Sequence, residues 1–226
     1  MKRIIAILIS LLLCTSAQAT NITKSQGQLM DWTLLQDTAE AGEMYKESNV
    51  FDSGEGYDDS LSSTLLITMV NVLNAGTANA TGFVVLVRVG ADDESWRLHT
   101  RLYMDAAAST VGDINDTVAS AQAVIGLAAT TNFETPGDMF FVFDTTTIAD
   151  STLVTFGGTY NNDNSITVID NLVNAYDADD SLHNGVRQWP IVLPGGCDES
   201  KVLFFNGDAD AHYACRVDYA NQDEIE

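Results

Sequence analysis

Apolar and polar residues alternate along much of this chain, and the period is two. In "SWRLHTRLYMD" at 95–105, Trp96, Leu98, Thr100, Leu102 and Met104 share one phase, while Arg97, His99, Arg101 and Tyr103 share the other. That alternation predicts a strand with one buried face. Two β-branched runs precede it, "SSTLLITMVNVL" at 62–73 and "FVVLVRVG" at 83–90, separated by the turn-forming "NAGTANATG". Three strands in this order, joined by turns rich in Asn, Gly and Asp, predict an antiparallel meander.

Strand character resumes in "DMFFVFDTT", "STLVTFGGTY", "NSITVIDNLVNAY", "QWPIVLP", "KVLFFNG" and "AHYACRVDYA". "MFFVF" at 139–143 has no polar phase, which predicts a strand buried on both faces. Pro190 sits where an edge strand tolerates a missing N–H. Turn signals recur every ten residues or so, the spacing of a sandwich or barrel and not of β-α-β units. One stretch departs from period two. In "NDTVASAQAVIGLAATT", Val118, Ala121, Val124 and Ile125 share a helical face, with Asp116 or Thr117 available as N-cap, so a short helix is expected there. The fold class expected is mainly β: an antiparallel β-sandwich, immunoglobulin-like or jelly-roll-like, with one short helix.

The first residues read differently. Lys2 and Arg3 precede an apolar run from Ile4 to Leu13, and "AQA" at 17–19 offers small residues before Thr20. These are the three parts of a secretory signal peptide, and the run is shorter than the ~20 residues a spanning helix needs. The organisation expected is a signal peptide at 1–19, a leader with a first strand near 31–36 at 20–56, and a β-sandwich domain with a C-terminal disulfide loop at 57–226. Export makes a disulfide the simplest use of Cys197 and Cys215, the two cysteines beyond the leader. It would close about 18 residues and contribute on the order of 3 kcal/mol.

Charge narrows the partners. The chain carries 32 acidic residues against 10 Lys and Arg. Two of those cations, Lys2 and Arg3, lie in the signal peptide, so eight remain and the net charge becomes −24. Such a surface repels nucleic acid and anionic membranes. It suits saline surroundings, or a protein that binds cations.

The densest set of candidate ligands is "YDADDSLHNG" at 176–185. Asp177, Asp179 and Ser181 have the i, i+2, i+4 spacing of calcium loops, and Asn206, Asp208 and Asp210 repeat it in "NGDADAH". An EF-hand loop then needs glycine at position six and glutamate at twelve. Leu182 and Gln188 stand there in the first set, Ala211 and Val217 in the second. Asp and Asn also favour turns because their side chains bond their own backbone. Ordinary turns are therefore the leading reading, with calcium as the candidate cofactor. Catalytic signatures are sparse: there is no G-x-S-x-G, no glycine-rich phosphate loop, and His99, His183 and His212 lack zinc spacing.

These features point to an exported acidic β-sandwich protein, secreted, periplasmic or at the cell surface, with a non-enzymatic binding, adhesion or matrix role. The partner expected is a surface polysaccharide or a protein subunit. The chain is not expected to bind nucleic acid, nor to stay in the membrane once the signal is cleaved. A small polysaccharide-active hydrolase or lyase is one alternative. A filament subunit that completes a neighbour's sheet with its leader is another.

Overall fold

A computed structural model of the chain describes residues 24–28, 31–36, 45–52, 63–73, 81–88, 95–104, 111–128, 135–160, 164–193, 197–207 and 211–221. The expected signal peptide and the acidic tail after Asn221 lie outside them. The fold is an antiparallel β-sandwich extended to three layers. Its middle sheet runs β1 (Lys24–Gln28), β16 (His212–Asn221), β5 (Ser63–Leu73) and β14 (Arg187–Leu193), with β2 (Thr33–Gln36) also on β16. One outer sheet runs β3 (Tyr45–Glu47), β15 (Glu199–Phe205), β6 (Thr81–Arg88) and β7 (Arg97–Met104), with β4 (Phe51–Asp52) also on β15. The other outer sheet runs β8 (Val111–Asp113), β13 (Ser181–His183), β10 (Met139–Phe143), β11 (Thr152–Tyr160), β12 (Ser165–Val168) and β9 (Val124–Gly126).

Alternation along each strand assigns its residues to these layers. Odd positions of β5 and β16, including Leu65, Ile67, Met69, Tyr213, Cys215 and Val217, meet Phe83, Val85, Val202 and Phe204 of the β3–β7 sheet. Even positions Val70, Val72 and Ala214 meet Trp32 and Phe141 on the other side. Phe140 and Val142 point away from Phe141, into a third core with Phe156, Ile166 and Leu182. The apolar "MFFVF" is thus dry on both faces, as its composition implies.

Three expectations are corrected. First, β5 does not form a meander with β6 and β7: β6 and β7 pair together, while β5 lies in the middle sheet between β16 and β14. A strand buried on both sides needs a layer on each side, and a meander edge supplies only one. Second, residues 116–128 are not helical. Val118 bridges to Tyr176, Ala121 turns at φ 63°, and Val124–Gly126 pairs with β12. Ile125 and Leu127 are buried while Val124 and Ala121 are exposed, so period two wins locally. The only helical element among the described residues is one 3₁₀ turn at Ile148–Asp150. Third, a register shift between Val85 and Leu86 in the β6–β7 pair reverses the phase of early β7. Leu98, assigned by alternation to the core, is 61% exposed, which is what a bulge does to the residues beyond it.

The strand expected first, at 31–36, is present as Thr33–Gln36, but β1 (Lys24–Gln28) precedes it; both pair with the chain's own β16 and so belong to the middle sheet. Pro190 lies on β14, the edge of that sheet.

Phe141 is fully buried, 4.3 Å from the Trp32 ring and 6.1 Å from Phe143. We expect Phe141→Ala to cost about 3–5 kcal/mol, through lost burial and a residual cavity. Val192→Ala, at a 61% exposed position of β14, should stay within about 0.5 kcal/mol. Urea unfolding of both variants checks the pair.

Candidate functional site

The aspartate-rich loop 176–185 is held together by one buried carboxylate. Asp180 accepts from Thr145 N (2.8 Å), Thr145 Oγ1 (3.1 Å) and Asp177 N (2.8 Å). Asp144, also buried, accepts from Thr146 N (2.8 Å) and Thr147 N (2.6 Å) to close the neighbouring turn. Tyr176 donates its hydroxyl to the Asp150 carbonyl at 2.7 Å. Burial, then the charges of Asp144, Asp150 and Asp180, push its phenol pKa upward. These carboxylates satisfy backbone N–H groups that a buried turn would otherwise leave bare.

The other candidate ligands are dispersed. Asp177 takes a long 3.4 Å bond from Thr117 Oγ1, and Asp179 is exposed. Ser181 bonds His183. Asn206 is buried beside the β3–β7 sheet, where it accepts from Thr81 Oγ1 (3.1 Å) and donates to Ala211 O (2.6 Å). Asp208 and Asp210 lie outside the described residues. Among the described residues, no three His, Cys, Asp or Glu side chains gather into a cation site.

Cys197 and Cys215 are thiols, not a disulfide. Cys215 sits in mid-β16, fully buried, its Sγ 3.4 Å from the Thr33 carbonyl. Cys197 belongs to the approach to β15 in the facing sheet. The Cys215 Sγ is turned to the backbone of β2 inside the core, while Cys197 is only half-buried at its own position. Burial raises the pKa of both thiols, opposed at Cys215 by Lys46 and reinforced at Cys197 by Asp198.

Ser181 and His183 form a pair that the motif search did not flag, Oγ to Nε2 at 2.7 Å. Both project from one side of β13, as i and i+2 do in any strand. The ring is 2% exposed, edge-on to Phe143, with no partner at Nδ1. Burial lowers its pKa to about 4. Among the described residues nothing bonds the second nitrogen, so no third member that would orient such a histidine as a base is seen there. A cleft of about 430 Å³ opens nearby, between Gly137–Phe140 and Asn184–Val186, with Asp138 as its one charged residue.

The surface richest in recognition chemistry is the solvent side of the β3–β15–β6–β7 sheet. Cross-strand register places Tyr45, Phe205, Gly82 and Tyr103 in one row, and Glu47, Leu203, Val84 and Arg101 in the next. Gly82 leaves a gap in the first row, and Tyr103 and Phe205 meet across it with ring centres 5.6 Å apart. A Cβ at Gly82 would strike the Leu102 carbonyl. Lys201 faces Leu86, which faces Leu98, and Glu199 faces Arg88. Trp96 lies against this end, with the Arg88 guanidinium 5.0 Å and the Lys201 ammonium 4.6 Å from its ring centre. Arg101 stacks on Tyr103 at 5.1 Å. Ion pairs Arg88–Glu199 and Lys201–Glu47 fix the cations from the side. Tyr45 and Tyr103 are each 52% exposed. Alternation alone hid this face, because it put Trp96 and Leu98 on the buried phase. The one usable local signal was the i, i+2 spacing of Arg101 and Tyr103, which puts both on one side of β7.

No family model matches this chain, and neither does any curated protein. Among solved structures it is similar to VP17, a capsid protein of bacteriophage P23-77, at 10% identity over 87% of this chain and 97% of that one, with a TM-score of 0.16. So low a score carries no argument about fold or role.

Two predictions follow from the buried groups. His183 refuses a proton down to about pH 4, whereas the unfolded side chain accepts one near 6.5. Stability from the neutral ring is intact above pH 6.5 and falls as pH drops toward 4, by roughly 3 kcal/mol in all. His183→Gln should flatten that part of the acid slope, as read from urea midpoints between about pH 7 and 4.5. In native protein, a thiol reagent should modify half-buried Cys197 slowly and Cys215 only on unfolding, and reductant should leave the melting midpoint unchanged.

Proposed function

We propose that this is an exported, non-enzymatic binding protein that engages a surface partner, a polysaccharide or a protein subunit, through the outer face of the β3–β15–β6–β7 sheet. The observation that carries the reading is Trp96, held between Arg88 and Lys201 beside the row Tyr45–Phe205–Tyr103, whose two tyrosines are exposed. Exposed aromatics and arginines supply most of the energy of typical interfaces, and flat aromatic rows also stack on sugar rings. Contiguous apolar area at a monomer's surface marks a contact surface. No helix among the described residues is long and apolar enough to cross a membrane. On this proposal, the signal peptide at 1–19 carries the chain out of the cytoplasm and the outer sheet face holds it to its partner there.

The test uses the chain from Thr20 onward and a Trp96→Ala/Tyr103→Ala variant. Retention on surface polysaccharide fractions and association with envelope protein, including the chain itself, are both measured. The variant should bind at least tenfold more weakly in whichever assay wild type is positive, with its melting midpoint nearly unchanged. Equal binding by the variant would remove this face from the account.

A further inference from the structure

The outer face of the β3–β15–β6–β7 sheet is apolar at its centre. Leu203, Phe205, Val84 and Leu86 alternate with core residues along β15 and β6 and stay half-buried. Tyr45, Leu98 and Tyr103 flank them on β3 and β7, each more than half exposed. Register puts five charges on the same side, Arg88, Arg101 and Lys201 against Glu47 and Glu199, so the face is nearly neutral. Their order across the sheet matters more than their sum. In the row Glu47–Leu203–Val84–Arg101, an acid stands at one end, a base at the other, and two apolar residues between. In another row Glu199 on β15 lies beside Arg88 on β6. Lys201 is the one base on the acid side, and Glu47 pairs with it.

We infer that two copies of this chain pair face to face through this sheet, about a two-fold axis that runs along the strands between β15 and β6. The inference rests on the reading of this face as a binding surface and names the protein subunit that it takes. Rotation about that axis lays β3 over β7 of the second copy and β15 over its β6. Each row then meets itself reversed. Glu47 meets Arg101 of the second copy at both ends of one row, with Leu203 on Val84 between them. Glu199 meets Arg88 in the same way, and Tyr45 meets Tyr103. A two-fold across the strands, centred on the same row, would instead set Glu47 on Glu47 and Arg101 on Arg101. Charge therefore selects the first axis, and the contact is isologous and closes at two copies. Facing sheets with strands nearly aligned are an ordinary packing. Four strands about 4.8 Å apart and about seven residues long cover roughly 450 Å². That is short of the ~800 Å² per partner of a stable pair, so the dimer is weak and forms as concentration rises.

Sedimentation equilibrium tests this at about 0.15 M salt, where a Debye length near 8 Å screens repulsion between whole molecules. The chain from Thr20 onward is compared with Arg101→Glu, with Glu47→Lys and with the double exchange Glu47→Lys/Arg101→Glu. Both positions are exposed, and circular dichroism checks that each variant folds. Wild type should pass from monomer to dimer and go no further. Each single variant sets like charges together at both ends of the row and should dimerise at least tenfold more weakly. The double exchange restores opposite charges and should recover wild-type dimerisation. The two single variants mixed should pair with each other, since one then carries base at both ends of the row and the other acid. That mixture keeps the test decisive where the double exchange does not fold. Single variants that dimerise as wild type does, or a mixture that stays monomeric, would overturn the inference. Monomeric wild type throughout would overturn it too. If that monomer is retained on a surface partner and loses it with Trp96→Ala/Tyr103→Ala, the proposed function stands without the second copy.

Discussion

The middle sheet has no wet side at its centre. Over Ile67–Val72 every residue of β5 is buried, odd positions against the β3–β7 sheet and even positions against Trp32 and Phe141. A strand sealed on both faces tolerates no slip, since a shift of one residue exchanges its two cores. The long ten-residue pairing of β5 with β16 and the pairing with β14 hold that register. Everything outside is placed relative to it: the six-stranded sheet through Phe141, and the β3–β7 sheet through Phe83 and Phe204. Each fully buried large side chain here contributes about 1.5–3 kcal/mol.

Such layering leaves polar groups under cover, and the chain answers several of them with a close tie. Ser48 accepts from Val202 N at 2.9 Å and so fastens the segment between β3 and β4 to β15. Asn206 closes the loop before β16, and Asp144 and Asp180 close the turns beside β13. The same chemistry that makes aspartate a calcium ligand makes it a turn closer. Two of the carboxylates in the acid-rich region are spent in this way. The exposed remainder gives the layer its charge.

Strands were legible because alternation is a local signal, and most of those expected from 62 to 220 are present. Partners were not legible. Nothing within "SSTLLITMVNVL" tells a meander from a middle strand, except that its last half lacks a polar phase, and that signal was available in Val70 and Val72. One bulge inverted the reading of Leu98, and an alanine-rich run mimicked a helix where Ile125 and Leu127 alternate. Cys197 and Cys215 were paired by compartment arithmetic, which has no term for where each side chain points: Cys215 turns to the Thr33 carbonyl. Of the loop 176–185, its turn character was legible, but its anchor Asp180 was not among the residues singled out. The aromatic face was invisible to motif search because it is assembled across four strands.

The make-up of that face decides how it attracts. Arg88 and Lys201 are already paired with Glu199 and Glu47, so their charge is largely met at short range. A strongly unbalanced patch would pull partners from a distance and lose that pull in salt. Here the cations serve first as braces beside Trp96, and what the face offers to the proposed partner is ring faces and the Arg101–Tyr103 stack. An attraction of this kind depends on fit more than on ionic strength.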